Sequence, residues 1–196
     1  MDKTVNIFLV SFYFPDVVEK VIKRIHEVTK YPFNLIVGDN RSKNSDIIAS
    51  KLKKLVNDGY IDTLFLYGEN YVSSIAKHMY HNVDRADITI ITDYDSFIND
   101  DFDGVCWLTD YINAFEESDV LMIQFYSDNG NLSMGGKPYI RTNQKFCTSS
   151  LKTKQKCQAN SHYMAFKSNV LEEYFKRYPN KPTVDGNLIL FIDELR

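Results

Sequence analysis

A chain of 196 residues, of which 44% are hydrophobic and 25% are charged, is large enough to bury a core and suits a single globular domain. Its net charge of −3 argues against a nucleic-acid partner, which would require a basic surface. Three cysteines without the spacing of a zinc site favour a reducing compartment, and no apolar run is long enough to cross a membrane. Because the amino-terminal segment also lacks the basic leader of a signal peptide, we expect a cytoplasmic protein with no integral membrane segment.

Predicted strands and helices alternate along the chain. Short apolar runs rich in β-branched and aromatic residues predict strands, and longer segments with apolar residues at helical spacing predict helices. The predicted strands are 5–13, 33–38, 63–67, 87–92, 120–126 and 162–166. The predicted helices are 17–28, with Asp16 as its N-cap, 46–56, 72–83, 105–115, 169–177 and 188–196. This alternation predicts an α/β fold with a central, mostly parallel sheet flanked by helices.

The segment 127–161 interrupts the alternation. It contains Gly135 and Gly136 and six basic residues spaced among Ser, Thr, Asn and Gln, and it has no apolar periodicity. A long polar segment inside a compact domain is either functional or disordered. Since no repeat or linker divides the chain, we expect one domain over 1–196, with 127–161 as a flexible loop that closes over a ligand.

Two carboxylates follow the fourth predicted strand, in the motif Asp93-Tyr94-Asp95. Residues two apart in a strand point the same way, so a turn there can direct both carboxylates at one cation. Mg²⁺ or Mn²⁺ takes a few carboxylates and completes its shell with phosphate oxygens, which would neutralise a nucleoside diphosphate as it leaves. Asp39 also follows a predicted strand, and ligands of parallel α/β sheets bind beyond the carboxyl ends of the strands. An ordinary acidic turn is the alternative for the Asp-Tyr-Asp motif.

The order and spacing of three motifs over residues 5–97 resemble the GT-A glycosyltransferases, especially the large inverting family 2 of nucleotide-sugar transferases. The motifs are IVGDNRSKNSD at 36–46, ENYVSSIAKHMY at 69–80 and the DxD-type Asp93-Tyr94-Asp95. A weaker similarity continues at 163–174, YMAFKSNVLEEY. The sequence departs from the family at Arg41, Val72 and Tyr80, where glycine is usual, and at His78, where Asn is common.

The resemblance implies a GT-A fold, which is the Rossmann-like fold of nucleotide-diphospho-sugar transferases. It implies transfer of a sugar from a nucleotide-diphosphate sugar to a hydroxyl of a glycan or another acceptor, with Mn²⁺ or Mg²⁺ as cofactor. Family frequency alone favours UDP and an inverting reaction, and a retaining reaction is the alternative. The nucleotide sugar would bind to 1–97 and the acceptor to 98–196.

The resemblance also implies roles for individual residues. Asp39 would bind the base or ribose, and Ser11 and Tyr13 would form the other side of the base pocket; core packing is the alternative for Tyr13. Asn70 and Lys77 are seven residues apart on one predicted helix face, from which Lys77 could reach the donor phosphates. Asp93 would bind the nucleotide sugar and would also hold the metal together with Asp95.

An inverting transfer requires a carboxylate that takes the proton of the acceptor hydroxyl. Asp185 follows a proline-containing turn and is our candidate base, with a helix N-cap as its structural alternative. Asp193 and Glu194 are further candidates, and His78, His81 and His162 are weaker candidates for the metal.

Two other classes of protein remain open. A nucleotidyltransferase would carry a glycine-rich basic loop after the first strand, where this chain has SFYFPD. A non-catalytic sugar- or nucleotide-binding module would explain the departures from the family's glycines.

Overall fold

The computed structural model describes most of the chain. The described residues are 3–41, 45–71, 74–98, 106–116, 120–125, 140–142, 146–150, 163–180, 188, 191–192 and 194–195, with the backbone alone at 45, 97, 125, 140–142 and 146–150. The strands are β1 Val5–Ser11, β2 Asn34–Asp39, β3 Thr63–Leu66, β4 Ile88–Asp93, β5 Ser96–Ile98, β6 Val120–Phe125, β7 Ile140–Thr142, β8 Phe146–Ser150 and β9 Met164–Lys167. The helices are α1 Pro15–Val28, α2 Ser45–Asn57, α3 Ile75–His81, α4 Trp107–Phe115 and α5 Ser168–Arg177.

Seven of the strands form one sheet in the order β3-β2-β1-β4-β9-β6-β8. The first four are parallel to one another, whereas β9 is antiparallel to both of its neighbours and β8 is antiparallel to β6. It follows that β6 runs in the same direction as β1 to β4. Strands β5 and β7 pair in parallel as a separate small sheet. The predicted α/β fold with a mostly parallel sheet is confirmed.

Helices cover both faces of the sheet because successive strand residues point to opposite sides. Ile7 and Leu9 of β1 belong to a buried cluster with α1, α2 and α4, whereas Phe8 between them belongs to a second cluster with α3 and α5. Leu188, Phe191 and Ile192 are helical and are buried in the second cluster. None of the helices among the described residues has the length and apolar character needed to span a membrane.

The prediction of Asp16 as the cap of the first helix is wrong. Phe14 occupies the N-cap position, and Pro15 and Asp16 are already helical. Proline suits the first helical turn because its fixed φ is compatible with the helix and its missing N–H would have no intrahelical partner there. The Asp16 carboxylate instead forms an ion pair with Lys51 of α2, with 2.6 Å between Oδ1 and Nζ.

Two strands that the sequence analysis did not predict, β7 and β8, lie inside the polar segment 127–161. Strand β8 pairs with β6 through its backbone, and such pairing needs little apolar periodicity at the edge of a sheet. Other parts of this segment lie outside the described residues, and the prediction of a loop that closes over a ligand stays a prediction.

Candidate active site

The polar residues singled out in the sequence meet at the carboxyl edge of the parallel strands. Ser11 at the end of β1 pairs in register with Asp39 at the end of β2, and Val10 of β1 pairs with Asp93 at the end of β4. Because β1 lies between β2 and β4, Asp39 and Asp93 are separated by two strand spacings, about 10 Å. The sheet therefore positions the backbones of Asp39 and Asp93 on either side of the end of β1.

Hydrogen bonds fix Asp39 in place. Its carboxylate accepts a bond from the Ser11 hydroxyl at 3.2 Å, and its carbonyl accepts one from the Tyr67 backbone N–H at 3.2 Å. The next residue, Asn40, donates its backbone N–H to the Ser11 carbonyl at 2.9 Å. Ser11 is fully buried and Asp39 is only 3% exposed, so Ser11 contacts the carboxylate rather than the surface.

Three non-glycine residues in the described part of the chain have positive φ, and all three lie at this edge. Tyr13 (φ 70°) follows β1, Arg41 (φ 45°) follows β2 and Tyr163 (φ 49°) precedes the antiparallel β9. Such a conformation costs about 1–2 kcal/mol for a residue with a Cβ, and it is concentrated at functional sites. Glycine is usual in the family at the position of Arg41. The backbone of Arg41 has the positive φ that favours glycine, so the conformation of this position is retained although the residue differs.

Tyr13 is not a core residue. Its ring is 40% exposed and packs edge-on against Phe12, with centroids 3.9 Å apart. The structure thus removes the core-packing alternative for Tyr13, which lies partly exposed two residues after Ser11.

The Asp-Tyr-Asp motif forms the turn between β4 and β5. The Tyr94 N–H donates to the Val10 carbonyl at 2.9 Å, and the Tyr94 ring stacks on Phe14 with centroids 5.9 Å apart. Burial raises the pKa of Tyr94 to about 12, so its hydroxyl is protonated at neutral pH. Burial also raises the pKa of the Asp95 carboxyl, because desolvation penalises its charged form. A bound cation would reverse that penalty.

The donor set at this turn suits a hard divalent cation. Among the described residues, no group of three or more His, Cys, Asp or Glu side chains could hold a metal. Asp93 and Asp95 supply two carboxylates, and Mg²⁺-like ions are commonly held by one or two carboxylates together with substrate phosphates. These two residues therefore fit a metal that is bound jointly with a diphosphate.

The expectation that Asn70 and Lys77 share a helix face is wrong, because α3 begins only at Ile75 and Asn70 precedes it. Asn70 lies exposed in the loop after β3. The Lys77 ammonium group, in the first turn of α3, donates to the Pro179 carbonyl beyond the end of α5. Both residues belong to elements that start at the carboxyl edge.

The described histidines of α3 have other partners. Nδ1 of His78 is 2.8 Å from the Tyr67 hydroxyl, and the His81 ring packs against Phe175 with centroids 5.5 Å apart. Burial lowers the pKa of His81. The Glu194 carboxylate accepts a hydrogen bond from the Tyr178 hydroxyl. Asp185, Asp193 and His162 lie outside the described residues.

The sequence analysis missed the residues that support the site. Asn40 is 6% exposed, and its side-chain oxygen accepts the backbone N–H of Tyr71 at 2.8 Å. Phe14 supports Tyr94 through the ring stack. An aromatic residue directly after the first predicted strand was the available signal for Phe14, whereas nothing local marks the contact of Asn40 with Tyr71.

No protein-family model and no curated protein sequence matches this chain. Solved glycosyltransferase structures match its fold. The mannosyltransferase PcManGT from Pyrobaculum calidifontis, in complex with GDP-Man and Mn²⁺, aligns with a TM-score of 0.63 at 15% identity, over 88% of this chain and 47% of PcManGT. S. aureus TarS 1-349 in complex with UDP aligns with a TM-score of 0.56 at 15% identity, over 95% of this chain and 54% of TarS 1-349. The same protein with UDP-GlcNAc gives 0.53 at 17% identity, over 86% and 46%.

The protein therefore has the fold of the GT-A glycosyltransferases. The chain spans about half the length of the structures it matches, as the coverages of 47% and 54% show. At 15% to 17% identity the likeness establishes the fold. Membership of family 2 stays a prediction.

Proposed function

We propose that this chain is a metal-dependent glycosyltransferase, which transfers a sugar from a nucleotide-diphosphate sugar to a hydroxyl of a glycan or another acceptor. One observation carries the proposal: Asp39 and the Asp93-Tyr94-Asp95 turn lie at the same edge of the sheet, separated by the end of β1. UDP is the favoured nucleotide.

The spacing between the backbones of Asp39 and Asp93 suits a nucleoside diphosphate. With Asp39 and Asp93 about 10 Å apart, the base would bind at the end of β2 while the diphosphate reaches the end of β4. Because Asp39 is nearly buried, a hydrogen bond from a base N–H or a ribose hydroxyl to its carboxylate would be shielded from water and strengthened. Tyr13 offers an exposed ring on which the base can stack.

Asp93 and Asp95 would bind the divalent cation, which neutralises the charge that develops on the departing diphosphate. Burial raises the pKa of the Asp95 carboxyl, and binding of the metal would lower it again. Lys77, whose ammonium contacts a backbone carbonyl, would contribute a second positive charge by turning towards the phosphates.

In the inverting reaction that we favour, the acceptor oxygen bonds to the anomeric carbon as the bond from that carbon to the diphosphate breaks. The electron pair leaves with the nucleoside diphosphate, and a carboxylate takes the acceptor proton. We propose Asp185 as this base. A retaining reaction, which needs no such base, would leave Asp185 without effect on the rate.

A thermal-shift panel tests the donor site. UDP, GDP, CDP and dTDP and their sugars, among them UDP-GlcNAc and GDP-Man, are added with Mn²⁺ or with EDTA. A ligand at 100 times its Kd stabilises the native state by about 2.7 kcal/mol, which raises Tm by about 5–10 °C for a domain of this size. We expect this rise with Mn²⁺ and a much smaller one with EDTA. Equal shifts in both buffers would reject the metal, and no shift with any nucleotide would reject the function.

A further inference from the structure

Tyr163 combines complete burial with an unusual backbone conformation. It directly precedes β9, it is fully buried, and its φ is 49°. A positive φ is an outlier for a bulky residue, and such strain persists only where the surrounding structure holds it. Strained residues of this kind concentrate at functional sites, so the contacts of Tyr163 indicate what its conformation serves.

Three contacts hold Tyr163 and connect it to the Asp-Tyr-Asp turn. Its hydroxyl donates to the Ser96 carbonyl at 3.2 Å, and its own carbonyl accepts the Tyr111 hydroxyl at 3.1 Å. Its ring packs edge-on against Trp107 of α4, with centroids 5.3 Å apart. Ser96 is fully buried and follows Asp95 directly. The hydroxyl of Tyr163 therefore fixes the backbone at the end of the turn, where β5 begins.

Phe14 holds the same turn from the side of β1. Its ring stacks on Tyr94 with centroids 5.9 Å apart and an angle of 24° between the ring planes. Its N–H donates to the Phe12 carbonyl at 3.0 Å across Tyr13, whose φ is 70°. A three-residue γ-turn with positive φ is rare and strained. The Phe14 carbonyl accepts the N–H of Val18 at 3.0 Å, so the residue is also tied to the first turn of α1.

The two contacts are made with the two chain neighbours of Asp95. Phe14 stacks on the residue before it, Tyr94. Tyr163 binds the backbone of the residue after it, Ser96. Partners that orient metal ligands from outside the ligand shell commonly contribute about 10- to 100-fold to metal affinity or activity. The backbone of Asp95 is thus held on both sides, as a ligand that must keep one orientation requires.

We propose that Tyr163 and Phe14 are positioning residues for the metal-binding turn. They fix its backbone so that Asp93 and Asp95 can bind the same cation. This inference rests on the proposed function, because it takes these two carboxylates as the metal ligands. It adds that two side chains outside the turn determine the affinity for the metal without touching it.

Calorimetry of UDP in Mn²⁺ and in EDTA tests the proposal on the whole chain, because the ratio of the two affinities reports how well the turn binds the metal. Tyr163→Phe removes the hydroxyl and keeps the ring. We expect it to bind UDP about 10- to 100-fold more weakly in Mn²⁺ and equally well in EDTA. Phe14→Leu should show the same pattern, whereas Phe14→Tyr should stay within about twofold of wild type because the ring remains.

Tyr80→Phe is the matched control for Tyr163→Phe. The Tyr80 hydroxyl also donates to a serine carbonyl, that of Ser168 at 3.1 Å, but this bond lies at the opposite edge of the sheet, beside the start of β4. Both variants should lose stability in urea unfolding with EDTA, since each removes a hydrogen bond. Only Tyr163→Phe should change the effect of Mn²⁺ on UDP binding. Phe14 is 48% exposed, so its variants should fold and test the proposal even if Tyr163→Phe does not.

The outcomes separate this inference from the proposed function. If the wild-type protein binds UDP more tightly in Mn²⁺ than in EDTA, a variant that keeps this ratio rejects the positioning role of its residue while the function stands. Equal losses in Mn²⁺ and EDTA would also reject that role, because they indicate damage to the whole site. A wild-type protein that does not bind UDP, or binds it equally in both buffers, would reject the proposed function and this inference with it.

Discussion

Two residues at the carboxyl edge of the sheet have features that lower the stability of the fold. Asp95 is a carboxylate whose charge burial disfavours, and Arg41 has a backbone conformation that costs energy for any residue with a Cβ. Neither feature stabilises the fold by itself. Both become understandable if the edge is arranged for a ligand, because functional sites hold such features against local preference.

The charge of Asp95 should destabilise the metal-free protein. Its folded pKa is raised, so the native state binds protons more tightly than the unfolded state, and stability falls as pH rises through this range. We expect Asp95→Asn to raise the metal-free Tm at pH 7, and the gain to vanish at a pH below the unfolded pKa of the carboxyl. The same variant should lose the Mn²⁺-dependent rise in Tm with UDP. Calorimetry across pH in EDTA measures the first effect, and a gain independent of pH would contradict it.

Arg41→Gly should stabilise the protein. Glycine removes the cost of about 1–2 kcal/mol for positive φ but adds conformational entropy to the unfolded chain, worth about 0.5–1 kcal/mol. We expect the free energy of unfolding to rise by about 0.5–1 kcal/mol in urea titrations. Arg41→Ala removes the same side chain without relieving the backbone and serves as the control; an equal gain in both variants would show that φ is not the cause.

Asp185→Asn should separate the base from donor binding. General-base catalysis is worth about 10²–10⁴-fold, so the transfer rate should fall by that factor. Affinity for UDP with Mn²⁺ should stay close to wild type, because the base acts on the acceptor. Initial rates and calorimetry provide the two measurements. Asp185→Asn with a wild-type rate would exclude this residue and favour a retaining reaction or one of the other carboxylates.

At the scale of elements, the close packing of α3 on β2 sets the position of Asp39. A Cβ on Gly38 would lie 2.9 Å from the Met79 sulfur and 3.0 Å from Cδ1 of Ile75. Met79 is fully buried and cannot move away into solvent. The residue before the site carboxylate is therefore glycine because the helix leaves no room for a side chain.

Gly38→Ala should destabilise the protein by about 1–3 kcal/mol, as overpacking of a core does. Met79→Ala in the same chain should recover part of this loss, since the two changes share one space. Urea unfolding of the two single variants and the double variant gives the coupling energy. Strict additivity would mean that the methionine does not limit the space at Gly38.

Local pattern was sufficient to predict some elements and insufficient for others. The strands β1 to β4 and the helices between them follow from apolar periodicity, because each buries one or two defined faces. The pairing of β9 between β4 and β6 joins residues far apart in sequence, and β8 lies in a segment without apolar periodicity, so neither could be predicted from local sequence. For the site, Asp39, Asp93 and Asp95 could be predicted as strand-end carboxylates, whereas the contact of Asn40 with Tyr71 spans 31 residues and leaves no local signal.

At the scale of the whole molecule, strands from both halves of the chain complete one sheet. Strands β6, β8 and β9 extend the sheet beyond β4, so the Asp-Tyr-Asp turn lies in its interior and not at its margin. We propose that residues of 1–97 bind the donor and that 98–196 provides the acceptor side.

The most direct test is turnover of the donor. Wild-type protein and Asp95→Asn are incubated with UDP-sugars and GDP-Man in Mn²⁺ or EDTA, and release of the nucleoside diphosphate is measured with and without a panel of hydroxyl acceptors. We predict release by the wild-type protein in Mn²⁺ that an acceptor increases, and background rates in EDTA and in Asp95→Asn. Binding of a donor by the wild-type protein without release under any of these conditions would contradict the account and favour a non-catalytic binding module.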